Sequence, residues 1–230
     1  MAKAGHRPGV LTTLLTTIIP TLNAAATLGE TLSALRGEII VVDGGSTDET
    51  ISIATRAGAR VLRSPRGRGR QLAAGAQIAD TAWLLFLHAD TVLDRGWHDA
   101  ALRFIRDPAN AERAAAFTYA LHDRSSAARR LEKMVAWRTR RLGLPYGDQG
   151  LLIGRAAYDA VGGYRDLPLM EDVDLVRRLG HKRIAVLDCR AVTSATRYRN
   201  GYIARSCRNL CCLALYFAGV SPRFIAKLYG

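Results

Sequence analysis

Carboxylates crowd one short stretch of this chain. Glu171 and Asp172 are adjacent, Asp174 follows, and a glycine-marked segment, Gly147-Asp148-Gln149-Gly150, lies upstream. Neighbouring residues at the head of a helix point about 100° apart, so Glu171 and Asp172 would do different jobs. A carboxylate beside a substrate hydroxyl can act as a general base; the plainer reading is compensation of a helix dipole. The glycines would let backbone approach a ligand closely. Two further acidic positions each follow an apolar run. Asp43 precedes Gly44-Gly45, where it can accept a hydrogen bond from a ring NH or simply serve a turn. In His88-Ala89-Asp90, residues two apart face one side of an extended chain. An imidazole and a carboxylate there suit a divalent metal; alternatively, His88 bonds a neighbouring loop. Arg66, Arg68 and Arg70 flank glycines in a basic loop, and their donor forks suit phosphate.

These side chains need elements to hold them. Residues 11–19 are apolar and β-branched and read as a buried strand. Pro20 stops it, and Thr21-Leu22-Asn23 forms a loop. Thr27 and Glu30 make a capping box for a helix to about residue 36. Residues 38–42 form a second strand. Ser46 and Glu49 make a second capping box, with Asp48 in the first turn of a helix to about residue 57. Residues 60–63 are a third strand. This alternation predicts α/β architecture: a mostly parallel sheet with helices on both faces. In such sheets ligands collect at the carboxyl ends of strands, where Asp43 and the loop 20–23 sit.

Downstream, the pattern predicts a helix over 70–79, then a strand over 83–87 that ends at His88-Ala89-Asp90. A helix over 97–106 and a strand over 114–121 follow. A long basic helix over 124–142 turns Leu131, Met134, Val135 and Leu142 inward. Then come a strand at 151–153, helices at 155–161 and 170–179, and a strand at 184–187. Residues 203–218 are apolar on most faces, and 221–229 form a last short helix. The C-terminal segment reads as a core helix, a homodimer face or an amphipathic layer at an anionic membrane.

The chain has 230 residues, enough for one α/β domain with a sizeable core. A net charge of +13 favours anionic partners such as nucleoside diphosphates. Cys189, Cys207, Cys211 and Cys212 show no C-x-x-C spacing, so they read as buried thiols in a reducing, cytoplasmic compartment. Lys3, Arg7 and residues 10–19 loosely imitate a signal peptide, but Thr12, Thr13, Thr16 and Thr17 interrupt the run. No run reaches the ~18 apolar residues of a membrane span. The G-x-x-x-x-G-K-[ST], G-x-G-x-x-G and G-x-S-x-G patterns are absent, which argues against a P-loop, a dinucleotide fold and a hydrolase elbow. No nucleic-acid-binding motif is present, and the basic residues are dispersed.

Five pieces in order carry a resemblance: Ile18-Ile19-Pro20-Thr21-Leu22-Asn23, Val41-Val42-Asp43-Gly44-Gly45-Ser46-Thr47-Asp48, Leu87-His88-Ala89-Asp90-Thr91, Gly147-Asp148-Gln149-Gly150 and Met170-Glu171-Asp172-Val173-Asp174. Together the chain resembles family 2 glycosyltransferases of GT-A fold. More narrowly, the Leu-His-Ala-Asp-Thr version and the ending from Gly219 resemble a bacterial subgroup found in arsenosugar-type biosynthesis. The resemblance implies a nucleotide-sugar-binding half over about 10–120, an acceptor half over about 121–195, and C-terminal helices over about 200–230. It implies that Pro20, Thr21, Leu22, Asn23 and Asp43 hold the nucleotide, a UDP-sugar in the simplest case, helped by Arg70. Asp90, with His88, would bind Mg2+ or Mn2+, and Asp172 would be the base. Glu171 and the Gly147, Asp148, Gln149, Gly150 loop would lie near a small-molecule or lipid-linked acceptor. The sequence departs from the family in carrying His88 where the first Asp of Asp-x-Asp stands, and Leu22 where Tyr is common. The processive Gln-x-x-Arg-Trp motif is absent; Arg197 is its nearest echo and a candidate diphosphate contact. The implied reaction is an inverting, non-processive sugar transfer. A nucleotidyltransferase, releasing pyrophosphate, and a basic nucleic-acid-binding module are the alternatives.

Overall fold

A computed structural model describes residues 14–198 and 201–229, without the side chains of Arg197 and Ile203. The expected strand residues 11–13, the signal-like Lys3 and Arg7, and the Arg197 side chain lie outside what is described.

Eight strands among the described residues form one sheet in the order β3-β2-β1-β4-β7-β6-β8-β5. The first half alternates: β1 (Leu15–Thr21), α1 (Ala25–Ser33), β2 (Glu38–Asp43), α2 (Thr50–Arg56), β3 (Arg60–Arg63), α3 (Arg68–Ile78) and β4 (Trp83–Phe86). All four strands run parallel. Then come β5 (Thr91–Leu93), α4 (Trp97–Arg106), β6 (Ala114–Leu121), α5 (Ser126–Leu142), β7 (Leu151–Gly154), α6 (Arg155–Ala160), α7 (Glu171–Leu179) and β8 (Ile184–Thr193). β7 runs antiparallel to β4 and β6, and β5 antiparallel to β8, while β6 and β8 are parallel. Helices α8 (Tyr202–Phe217) and α9 (Pro222–Tyr229) close the described chain.

Both faces of the sheet are buried, which is why its strands read as continuous apolar runs rather than alternating ones. Ile19, Val41 and Leu85 pack on one side with Leu28, Trp97 and Phe104. Their neighbours Ile18, Ile40 and Phe86 pack on the other with Leu72, Tyr158 and Val173. α3 lies close to the sheet because Gly75 has no side chain: a Cβ there would sit 2.5 Å from Ile18 Cγ2 and 2.9 Å from Val42 Cγ2.

Several local expectations are corrected. Pro20 does not stop β1; it pairs with Val42 of β2. Its missing N–H faces the β4 side, where pairing has already ended at Ile18 and Phe86, so no ladder bond is lost. Neither capping box forms: α1 starts earlier than the pattern suggested, at Ala25, which puts Thr27 inside it, and α2 starts later, at Thr50. Instead the loop before α2 caps both helices: Asp48 accepts the N–H groups of Thr50 at 3.0 Å and Ala25 at 3.1 Å, and Thr50 Oγ1 accepts that of Ala24 at 2.7 Å. On α5, Leu131 and Val135 are buried as expected, but Met134 and Leu142 are exposed.

Candidate active site

The carboxyl ends of β1, β2 and β4 lie along one edge. There Asp43 is 1% exposed, and its two oxygens accept four bonds. Oδ2 takes the N–H groups of Gly45 and Ser46, each at 2.9 Å; Oδ1 takes the hydroxyls of Thr21 at 3.1 Å and Ser46 at 2.5 Å. Burial alone would raise its pKa, but the Ser46 hydroxyl and the surrounding N–H donors outweigh it and hold the carboxyl below its usual range. In this arrangement Asp43 staples its own turn. Asn23, with φ of 50°, ties the first loop to the same turn, its Oδ1 accepting the Thr47 N–H at 2.9 Å. Gln71 of α3 closes the edge from below, donating to the carbonyls of Thr21 at 2.8 Å and Val42 at 2.7 Å.

A cleft opens beyond this edge. Arg68, His88, Tyr146, Asp148, Glu171 and Asp172 line it, together with Arg205, Asn209 and Tyr229 of the C-terminal helices. The three acids of α7 separate as their angular spacing requires. Glu171 is 2% exposed and its Oε1 lies 3.1 Å from Arg68 Nη1, whose side chain is 42% exposed. Burial raises the Glu171 pKa, Arg68 opposes that, and Asp172 adds to it. Burial works against the Arg68 charge, yet Glu171, with Asp172 and Asp90 behind it, keeps its pKa raised. Asp172 is half-buried at the cleft, its Oδ2 accepting the Gly147 N–H at 2.7 Å and its Oδ1 the Val173 N–H at 2.8 Å. Asp174 turns away into a bond with Arg178 at 2.7 Å.

Asp90 reaches the same neighbourhood, close enough for its charge to bear on Arg68. Its carbonyl accepts the Ser194 N–H at 3.1 Å, and Thr193 Oγ1 donates to the Asp148 carbonyl, also at 3.1 Å. The end of β8 thus ties the Asp90 turn to the Gly147 loop. His88 Nε2 faces the Gly147 backbone so closely that a Cβ on Gly147 would lie 2.4 Å from it. Among the described residues no group of three or more His, Cys, Asp or Glu could hold a metal unaided. A hard cation that takes one or two carboxylates plus substrate phosphates needs no such group, so Asp90 fits that role. The nitrogen of His88 set against Gly147 does not add to the fit.

Other expected site residues land elsewhere. Arg70 pairs with Asp166 in an exposed bridge, so the arginine at the cleft is Arg68. Gln149 is buried away from the cleft, donating to the Phe117 carbonyl at 3.0 Å and accepting from Thr139 at 2.9 Å. Gly150 closes a 3-10 turn on the Gly147 carbonyl at 3.1 Å.

The family model described as Glycosyl transferase family 2 matches residues 16–158. The chain belongs to glycosyl transferase family 2. Its GT-A architecture is shared with solved structures of low sequence identity. The mannosyltransferase PcManGT from Pyrobaculum calidifontis, solved with GDP-Man and Mn2+, aligns with TM-score 0.64 at 19% identity, over 83% of this chain and 59% of that one. S. aureus TarS residues 1–349 align with TM-score 0.63 at 18% identity, over 79% and 60% of the two chains. Glucosyl-3-phosphoglycerate synthase from Mycobacterium tuberculosis, with Mn2+, UDP-Glc and phosphoglyceric acid, aligns with TM-score 0.54 at 22% identity, over 79% and 75%. A PGL/p-HBAD biosynthesis glycosyltransferase of Mycobacterium tuberculosis is 39% identical over 89 residues, 33% of this chain and 35% of that one. This family 2 chain therefore matches about a third of the length of that relative.

Two contributors to the family 2 site were missed in the sequence. β5 is only three residues long, and β8 runs on to Thr193 through a register shift beside Phe117 and Thr118. Arg205, Asn209 and Tyr229 reach the cleft from a C-terminal segment that the sequence presents as a core helix, a dimer face or a membrane layer rather than as part of the site. The spacing of Arg205 and Asn209, one helical turn apart, was the available signal.

Proposed function

We propose that this chain transfers one sugar from a nucleoside diphosphate-sugar to an acceptor hydroxyl, with inversion at the anomeric carbon. The observation that carries the reading is Asp172, half-buried at the cleft with Oδ2 held by the Gly147 N–H at 2.7 Å. A carboxylate fixed in this way can take the acceptor proton as that oxygen attacks, help worth ~10²–10⁴-fold. Arg68 places positive charge beside it, suited to a diphosphate. Asp90 would hold Mg2+ or Mn2+, which when bound supplies Lewis-acid stabilisation of the departing nucleoside diphosphate. Asp43 keeps the base-binding edge in shape, and reaches a base NH only if the Ser46 hydroxyl turns away.

Residues to about 120 serve the donor, and those from about 121 to 195 the acceptor. UDP-sugars are the first donors to test; the solved relatives carry UDP-Glc and GDP-Man. The Leu87-His88-Ala89-Asp90-Thr91 sequence and the ending from Gly219 support the narrower reading, a role in arsenosugar-type biosynthesis. Asp172→Asn should abolish transfer while donor binding, read by thermal shift with Mn2+ and a nucleotide-sugar panel, persists. Loss of donor binding in that variant, or a retained anomeric configuration by product NMR, overturns the role given to Asp172.

A further inference from the structure

The hairpin of α8 and α9 has two faces. One carries Arg205, Asn209 and Tyr229 into the cleft. The residues beside them face out: Leu210 is 66% exposed, and Phe224 and Leu228 are each 55% exposed. Leu142, Leu210 and Phe217 share one apolar trough with Arg177, whose guanidinium lies 4.8 Å from the Phe217 ring centre. On α5, Arg130, Met134, Trp137 and Arg141 fall on one stripe at helical spacing, all four exposed. Cations flank the apolar groups: Arg208, Arg223 and Lys227 are exposed, and no Asp or Glu follows Asp188. No helix among the described residues is long and apolar enough to cross a membrane.

We propose that this face docks on an anionic lipid bilayer and brings the cleft to an acceptor hydroxyl carried on a lipid headgroup. Charge decides the occupant. A two-fold contact between copies sets a patch against itself, so basic residues would meet basic residues with no acid on the segment to answer them. An anionic bilayer answers the charge and takes the exposed aromatic and aliphatic groups together. The docking stands on the surface itself; the acceptor half of the proposal rests on the transferase reading.

The test is flotation of the full chain with vesicles of phosphatidylcholine alone, or mixed with phosphatidylglycerol, at low and high salt. Binding is expected to the anionic vesicles, weakened by salt. Arg223→Gln with Lys227→Gln should cut partition about fivefold per charge. Phe224→Ser with Leu228→Ser should cut it on the order of tenfold or more. Both double variants should keep wild-type thermal shifts with UDP-glucose and Mn2+. Equal binding to neutral vesicles, or no effect of either variant, overturns the docking. So does a dimer by light scattering that Phe224→Ser with Leu228→Ser dissociates. A chain that binds vesicles but no nucleotide sugar leaves docking standing and overturns the transferase reading.

Discussion

Gly147→Ala should cripple the site through a single methyl group. The added Cβ would lie 2.4 Å from His88 Nε2, 3.0 Å from Cε1 and 3.3 Å from Cδ2. His88 is buried, so ring and turn must part by about 1 Å, and overpacking of this kind costs ~1–3 kcal/mol. Gly147 has no left-handed φ, so the penalty is steric and not a backbone one. The same turn presents the N–H that holds Asp172 Oδ2 at 2.7 Å. A displacement of about 1 Å near a reacting centre costs ~10²-fold in rate. The expected result is kcat/KM reduced about a hundredfold, read by nucleoside diphosphate release, with donor affinity nearly unchanged. A double-mutant cycle isolates the cause. In a His88→Ala background the Cβ has room, so the same substitution should cost at least about tenfold less. Full activity of Gly147→Ala, or strict additivity in the cycle, refutes the reasoning.

Other substitutions test the surrounding frame. Gly75→Ala gains up to ~1 kcal/mol in helix propensity but drives a Cβ into the β-branched Ile18 and Val42, so net destabilisation of ~1–2 kcal/mol is expected by urea unfolding. Ser46→Ala removes a bond to the Asp43 carboxylate, which should cost ~1.5–3 kcal/mol. Because the folded Asp43 pKa is depressed, that stability is present above the ordinary carboxylate range and is lost as pH falls through the folded value. The gap between wild type and variant should therefore shrink in acid. Arg68→Gln strands Glu171, whose pKa is already raised by burial. A raised carboxyl favours folding below its unfolded pKa and costs stability as pH rises through the folded one. The variant should match wild type in acid and fall behind toward neutral pH, by stability curves at several pH values.

Much of the sheet was legible because both its faces are buried. The runs at 39–42, 83–86 and 114–117 are apolar without interruption, and their shortness and β-branched or aromatic residues mark them as strands. Helix starts misled because Thr27 and Ser46 fit a capping pattern, while the atoms that take the N–H groups at the start of α1 belong to Asp48 and Thr50, on the loop before α2. No local window shows such a contact. The acidic pair at 171–172 was legible from position, but the choice between Arg68 and Arg70 was not. It turns on which side of α3 meets α7. Gly69 decides that, since a Cβ there would lie 2.2 Å from the Arg165 carbonyl and 3.2 Å from Glu171 Cβ. Only a glycine lets the start of α3 come near enough for the residue before it to pair with Glu171.

The site is held by backbone more than by its own charges. From Asp90, the path runs through its carbonyl to Ser194, through Thr193 to the Asp148 carbonyl, and through the Gly147 N–H to Asp172. Two carboxylates separated by 82 positions of sequence are thus fixed by hydrogen bonds whose other partners lie on β8 and a 3-10 turn. Like charges gathered at one cleft repel, and such repulsion is strongest where water is excluded. Arg68 offsets part of it through Glu171, but it is nearly half exposed and cannot clamp all three acids. The cleft therefore keeps an acidic cluster that Arg68 only partly offsets, with Arg205 of α8 also in its lining. That arrangement suits a donor whose diphosphate arrives with a cation and leaves with negative charge.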